Sequence, residues 1–281
     1  MRILFTIPHY YDPGGGGKYG SLKADSAPRR NALAGAIFSL HANLGRRQGF
    51  LGAPTVECNA AAAADVEVVV CTTGGRHLLD EMRLPPESFR HHQTQAQPMY
   101  LGFECHEVLR QGLGRYDWFC YLEDDIALLD PLFFQKLEWF NRLAGDEAVL
   151  QPNRNEIAIG QRWHKLFVDG ELSRPEWSTR WQDVNDRPPI EAEAFGVKVR
   201  FVRASNPHSG CFFLNARQME HWTKQPSFLA REPSFVGPLE SAASFGLLRY
   251  FRTYKPAPEN AGFLEVRHLD NRYLGAKGKA P

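Results

Sequence analysis

The chain predicts an α/β fold, a mainly parallel central sheet flanked by helices, and three observations carry that prediction. Apolar runs of strand length alternate along the first half with segments whose apolar residues recur every three or four positions. Two of these runs, Ile3-Leu4-Phe5-Thr6-Ile7 and Val66-Glu67-Val68-Val69-Val70-Cys71, are nearly continuous, as strands buried on both faces are. A further run, Tyr116-Asp117-Trp118-Phe119-Cys120-Tyr121-Leu122, ends abruptly in three adjacent carboxylates, Glu123-Asp124-Asp125. With 281 residues and 43% hydrophobic content the chain can bury the core of one large domain, whereas two full Rossmann-like domains rarely fit that length.

Taken in order, residues 2–7 form the first strand. Pro8, Asp12-Pro13 and four glycines then make a loop, and a helix begins near Arg29, with Leu33, Ile37, Leu40 and Leu44 on one face. Residues 52–64, with their alanine run, read as a surface excursion or a short helix, residues 66–71 as the second strand, and residues 91–97 as a polar stretch rich in His and Gln. A helix over 100–113, closed by Gly112 and Gly114, precedes the acidic strand. Beyond it the pattern is less regular: a helix over 131–143, a strand over 148–150, and a loop-rich insert over 161–189 carrying Trp163, Trp177 and Trp181. Strands over 197–202 and 211–214 and a helix over 240–250 follow, with no internal repeat.

Thirty-three basic against 32 acidic residues leave a net charge of +1, so nothing global points to nucleic acid or an anionic membrane, and any basic site is local. The five cysteines (Cys58, Cys71, Cys105, Cys120, Cys211) lie far apart with no Cys-x-x-Cys pair, which indicates neither a zinc knuckle nor a disulfide framework. They read as buried thiols in a reducing compartment. The apolar run after Met1-Arg2 is too short for a signal-peptide core or a membrane span. The expectation is a cytoplasmic protein, and peripheral docking at the inner face of a membrane stays compatible with it.

Three adjacent carboxylates repel one another unless a cation sits on them. At the carboxyl end of a strand in an open α/β sheet, where ligands bind, such hard oxygen ligands suit Mn²⁺ or Mg²⁺, which keep open positions for the phosphates of a substrate. A solvated acidic turn ahead of a helix started by Asp130-Pro131 is the plain alternative.

Glu123-Asp124-Asp125 resembles the Asp-x-Asp metal motif of GT-A glycosyltransferases, with Glu in first place. Leu122 to Ile126, followed by Asp130-Pro131-Leu132-Phe133-Phe134, is similar to the corresponding segment of the inverting N-acetylglucosaminyltransferases that start N-glycan branching. The order of elements agrees with the GT-A pattern over most of the chain. The resemblance implies a single GT-A-like, Rossmann-related domain over 1–281, with 1–125 the nucleotide-sugar-binding half and 126–281 the acceptor-binding half and C-terminal tail. It implies that Asp125 binds the metal while Glu123 and Asp124 contact the ribose, the sugar or the metal's waters. Pro8, His9 and Tyr10 after the first strand, and Thr72 and Thr73 at the end of the second, would line the nucleotide pocket. Many GT-A members carry an aspartate where Thr72-Thr73 stands, which leaves the base open. The Ser209-Gly210 turn would let backbone amides approach the donor sugar, since glycine permits close approach. His268 resembles the histidine that completes the metal shell, and Arg267, with Arg272 and Lys277, would neutralise the diphosphate. Glu240 stands where GT-A enzymes place the general base, with Asp169, Glu171 and Asp183 in reserve, although a glutamate in a first helical turn is also favoured by the helix dipole alone. The three tryptophans would either stack on acceptor sugars or anchor the insert.

The activity so implied is metal-dependent transfer of a hexosyl or N-acetylhexosaminyl group from a nucleotide-diphosphate donor, a UDP-sugar first, to a hydroxyl of a glycan or lipid-linked acceptor, inversion being preferred. The alternatives are a non-catalytic nucleotide or carbohydrate-binding protein with the same metal site, and a sugar-phosphate nucleotidyltransferase. Gly15 to Gly20 fits G-x-G-x-x-G formally, but Pro28 separates it from the next helix, and Lys18 followed by Tyr19 rules out a Walker loop.

Overall fold

In the computed structural model, residues 1–15, 20–270 and 272–277 are described. Residues 16–19 of the glycine loop, with Lys18, lie outside them, as does the Lys277 side chain.

The first half runs β1 (Arg2–Pro8), α1 (Ala27–Leu44), β2 (Gly49–Phe50), β3 (Val56–Glu57), β4 (Asp65–Thr73), β5 (Arg90–Thr94), α2 (Leu101–Gln111) and β6 (Trp118–Leu122). Long crossover connections permit parallel pairing, with α1 between β1 and β4 and α2 between β5 and β6, and β6, β1, β4 and β5 lie side by side and parallel in that order. Strand alternation splits their side chains between two cores. Ile3, Phe5, Ile7, Val68, Val70, Trp118, Cys120 and Leu122 face Leu33, Ile37, Leu40 and Leu44 of α1. Leu4, Val69, Cys71, Phe119 and Tyr121 face Leu101, Cys105, Val108 and Leu109 of α2 on the other side. Each fully buried side chain of this size contributes about 1.5–3 kcal/mol, so both faces resist register slips.

The second half runs β7 (Ile126–Ala127), α3 (Phe133–Ala144), β8 (Ala148–Leu150), β9 (Asn153–Ile157), β10 (Lys165–Phe167), α4 (Glu176–Thr179), β11 (Ile190–Ala194), β12 (Val197–Arg203), β13 (Cys211–Asn215), α5 (Ala216–Thr223), α6 (Pro238–Tyr250), β14 (Arg252–Pro256), β15 (Glu265–His268) and α7 (Arg272–Lys277). β13 joins the central sheet antiparallel to β6. Two smaller sheets, β10-β9-β15-β7 and β11-β12-β14-β8, complete the described strands apart from the β2–β3 ribbon. Phe133 and Phe134 of α3 pack edge-on against Phe213, Phe5 and Trp118, so α3 shares the α1 face. α5, started by an Asn215–Gln218 capping box, and α6 cover the α2 face through Met219, Trp222, Ala242 and Leu247. Phe201, Tyr254 and Val266 share one apolar cluster with Ile3, Phe5 and Ile7, so both halves contribute to one core.

The α/β class, the parallel arrangement of the first half and the expected helices are present, with differences that have physical reasons. The His- and Gln-rich stretch contains a strand, β5, which lies at the sheet edge where polar side chains meet solvent. Residues 52–64 form no helix, only one side of the short β2–β3 ribbon and a loop. The loop-rich insert carries β10 and the one-turn α4. β9 was hidden by its composition, Asn-Arg-Asn-Glu-Ile, whose polar side chains are buried because partners from distant segments satisfy them. Among the described residues no helix is long and apolar enough to cross a membrane.

Candidate active site

The acidic motif leaves the carboxyl end of β6, beside the end of β1. The Glu123 amide donates to the Gly210 carbonyl (2.7 Å) and the Ile126 amide to the Glu123 carbonyl (3.1 Å), which folds residues 123–126 into a turn. β7 then pairs with β15 so that Ile126 lies opposite His268, and the Leu269 amide donates to the Asp125 carbonyl at 2.8 Å. These backbone bonds bring His268 Nε2 to 3.6 Å from Asp125 Oδ2. The other ring nitrogen of His268, Nδ1, is 2.8 Å from Glu156 Oε1 on β9. Glu156 Oε2 accepts from the Leu274 amide (2.7 Å), which ties α7 to the same buried carboxylate.

Two cationic or proton-donating groups from the first half meet the motif. Arg29, in the first turn of α1, donates through Nη2 to Asp124 Oδ1 and through Nη1 to Asp125 Oδ2 (2.9 Å). His9 is fully buried: its Nε2 accepts from the Leu78 amide (3.2 Å), which leaves the proton on Nδ1 to be donated to Asp124 Oδ2 at 2.6 Å. Both oxygens of Asp124 are therefore used, and the residue is only 1% exposed.

Glu123 faces a different set. Arg154 Nη1 on β9 is 3.8 Å away and His208 Nε2 is 3.9 Å away. Arg154 is held by Asp169, which accepts from its Nε (3.1 Å) and backbone amide (3.2 Å), and Lys255 Nζ lies 3.5 Å from the same carboxylate while donating to the His208 carbonyl at 2.6 Å. A Cβ on Gly210 would come within 2.9 Å of Glu123 Oε2, and φ at Gly210 is +66°, so only glycine fits the turn that presses on the motif.

These surroundings shift the titrations. Burial, with added repulsion from Asp125 and Glu240 and against the pull of Arg154, pushes Glu123 up to about 7. Burial works to raise Asp125 too, but the nearby His268 imidazole and the Arg29 charge outweigh it and hold the carboxyl below its usual range. Burial drives His208 down to about 3 and lowers Lys255.

The structure brings together Glu123, Asp125 and His268, and the half-buried Glu240 stands in the first turn of α6. Other expected site residues are engaged elsewhere. Thr72 Oγ1 is 2.7 Å from His91 Nε2, and the Thr73 hydroxyl donates to the Ala96 carbonyl. Ser209 Oγ donates to the Pro152 carbonyl at 2.7 Å, and Tyr10 OH to Asp12 Oδ2 at 3.2 Å. Pro8 is buried at the end of β1. His9 and Asp124, expected against a ligand, are sealed against each other and Arg29 instead. Arg267 is next to His268 on β15, so strand alternation turns it to the opposite face, where it donates to Asn155 Oδ1 (2.8 Å). Of the reserve bases, Asp169 is locked in its ion network, while Glu171 and Asp183 are exposed on the insert. Trp181 meets Phe245 of α6 edge-on at 5.0 Å, and Trp177 packs on the small cluster of Phe235, Phe245 and Leu248. Trp163 is half exposed (51%).

Sequence reasoning missed Arg29, Arg154, Glu156, His208 and Lys255. One signal existed for Arg29: the first turn of α1 carries Arg29-Arg30 and no acidic residue, an arrangement the helix dipole disfavours unless outside carboxylates offset it.

The residues fit a divalent ion at Asp125. Its Oδ1 is buried with no hydrogen-bond partner among the described residues, and His268 Nε2 faces the same carboxylate while Glu156 fixes the opposite ring nitrogen. A carboxylate behind a ligating histidine is the usual outer-shell support of a metal site. Among the described residues no three His, Cys, Asp or Glu side chains converge to hold a metal, so the protein would supply two donors and substrate or water the rest.

No protein-family model matches the chain, and no curated protein matches it. Among solved structures the chain is similar to the crystal structure of GalNAc-T7 with UDP, GalNAc and Mn²⁺, with a TM-score of 0.48 and 9% sequence identity. The match covers 95% of this chain and 43% of that one, so this chain spans less than half the length of GalNAc-T7 in that structure.

Proposed function

We propose that the protein is a metal-dependent GT-A-type glycosyltransferase that moves a sugar from a nucleotide-diphosphate donor, a UDP-sugar first, to a hydroxyl of a glycan or lipid-linked acceptor. The observation that carries this reading is the pairing of Asp125 and His268 at the carboxyl end of β6, with Asp125 Oδ1 unpartnered and His268 fixed by Glu156. Asp125 and His268 would hold Mn²⁺ or Mg²⁺. When bound, such an ion stabilises the negative charge that builds on the leaving diphosphate.

The chain's own groups divide the remaining work. Glu156 orients His268, and the Gly210 carbonyl holds the start of the acidic turn through the Glu123 amide. Glu240 would take the proton of the acceptor hydroxyl as its oxygen attacks the anomeric carbon from the face opposite the diphosphate, which inverts the configuration. Residues 1–125 would serve the donor and 126–281 the acceptor, with the exposed ring of Trp163 on the acceptor half available for stacking on a sugar.

A panel of nucleotide-sugars screened by thermal unfolding with and without Mn²⁺ tests the reading. A true donor raises the Tm only with the ion, by mass action, and Asp125→Asn, which keeps shape but removes the charge, abolishes that rise; because buried Asp125 also pairs with Arg29, the variant's unliganded Tm falls too, and the ion-dependent rise is compared within each protein. A Mn²⁺-dependent rise that persists in Asp125→Asn refutes the site, and no rise with any nucleotide-sugar in the wild-type protein refutes the activity.

A further inference from the structure

Among the described residues, Arg29 is the one cation in direct contact with both aspartates, and the proposed transfer does not use it. We infer that Arg29 is a positioning residue that sets the metal affinity of the site, holding Asp124 and Asp125 by one prong each and competing with a divalent cation for Asp125. The inference rests on the metal-dependent reading above.

The placement is costly and therefore specific. Arg29 stands in the first turn of an 18-residue helix that has no acidic residue of its own in that turn, where the dipole opposes positive charge. Its side chain is only 19% exposed, and its Nε is buried without a hydrogen-bond partner among the described residues, so the two carboxylates are what hold the guanidinium. They hold it unequally. Asp124 is fixed from behind by His9 Nδ1 and is almost fully buried, which makes it an anchor. Asp125 Oδ2 lies between Arg29 Nη1 at 2.9 Å and His268 Nε2 at 3.6 Å, while Oδ1 has no partner.

A divalent ion taken by Asp125 and His268 must settle within a few ångströms of a guanidinium of the same sign. Asp124 is already neutralised and Glu123 is opposed by Arg154, so little negative charge is left over to hold the ion alone. A diphosphate reverses that balance: it brings negative charge to the ion, and a guanidinium freed from Asp125 but still anchored on Asp124 has the fork geometry that matches phosphate oxygens. Arg29 would thus select the ion paired with a diphosphate over the bare ion.

The test is Mn²⁺ binding followed by the electron paramagnetic resonance signal of free Mn²⁺, with the ion alone and with UDP, in the wild type, Arg29→Met and Arg29→Lys. Arg29→Met should bind Mn²⁺ alone at least about tenfold tighter than the wild type, because a like charge a few ångströms away is gone. It should lose most of the tightening that UDP confers, and Arg29→Lys, which keeps the charge but cannot span both carboxylates, should fall between. If the wild type binds Mn²⁺ with UDP but Arg29→Met binds the ion alone no tighter, Arg29 has only a structural role and the metal site stands. If the wild type binds no Mn²⁺ with or without UDP, the metal reading fails and this inference with it. Should Arg29→Met lose its cooperative thermal unfolding, Arg29→Lys decides, and an unchanged Mn²⁺ affinity in it overturns the inference.

Discussion

Replacing Asp169 by alanine strips the counter-charge from two buried cations, and the cost follows from what each has left. The Asp169 side chain is 3% exposed and accepts from Arg154 Nε (3.1 Å) and backbone amide (3.2 Å), with Arg154 Nη2 at 2.9 Å and Lys255 Nζ at 3.5 Å completing the ion pairs. Without it, Arg154 has only Glu123 at 3.8 Å and Lys255 only the His208 carbonyl at 2.6 Å. Removing one member of a buried ion pair costs about 3–5 kcal/mol, because the other charge stays desolvated. At this chain length about 2 °C of Tm accompanies each kcal/mol, so circular dichroism should show a fall of about 6–10 °C at pH 7. The pH dependence has a definite sign. Burial raises the Asp169 pKa, but Lys255 and Arg154 outweigh it and leave it below the ordinary carboxylate range. The stabilisation is therefore complete above the unfolded-state value and is lost as pH falls through the lower folded value, so wild type and mutant converge only below about pH 4. In the double mutant Asp169→Ala, Lys255→Met, part of the loss should be recovered, because one of the stranded charges is removed as well. A loss under about 1 kcal/mol, or a gap that widens in acid, would refute the ion-network argument.

Three further outcomes are expected. Glu240→Gln should keep nucleotide-sugar affinity within a small factor while turnover falls about 10²–10⁴-fold, as loss of a general base does; near-normal turnover in steady-state kinetics would move the base elsewhere or point to a retaining mechanism. His268→Ala should weaken Mn²⁺ binding measured calorimetrically with UDP, but by less than Asp125→Asn does, since it removes a neutral donor and leaves the charged one; no effect at all would return His268 to a packing role. Gly246→Ala on α6 would put a Cβ 2.2 Å from the Trp222 ring, so overpacking should cost about 1–3 kcal/mol in urea unfolding, and a silent substitution would mean that the α5–α6 contact is looser than the geometry says.

The part of the site that could be read from sequence is the part whose cause is local. An apolar strand that stops at three carboxylates announces both an element end and a charge problem, and the structure places those carboxylates at the end of a parallel strand. The cations that answer the problem are not local: Arg29 lies 95 residues from Asp124, and Asp169 is 15 residues beyond the Arg154 it holds, in a segment read only as loop. β9 hid for the same reason, since a strand of Asn, Arg and Glu looks solvated until its partners, more than 100 residues away, are known. Those distant returns decide which atoms of the motif stay free. Two of them close on the motif through single backbone bonds, Gly210 to Glu123 and Leu269 to Asp125, and they bring His208 and His268 with them. Asp124 is sealed by His9 and Arg29, Glu123 is turned toward Arg154 and His208, and only Asp125 keeps a buried oxygen with no partner. Three adjacent acidic residues that the sequence treats as one motif thus acquire three different environments, and the metal assignment to Asp125 draws its strongest support from that difference rather than from the motif itself.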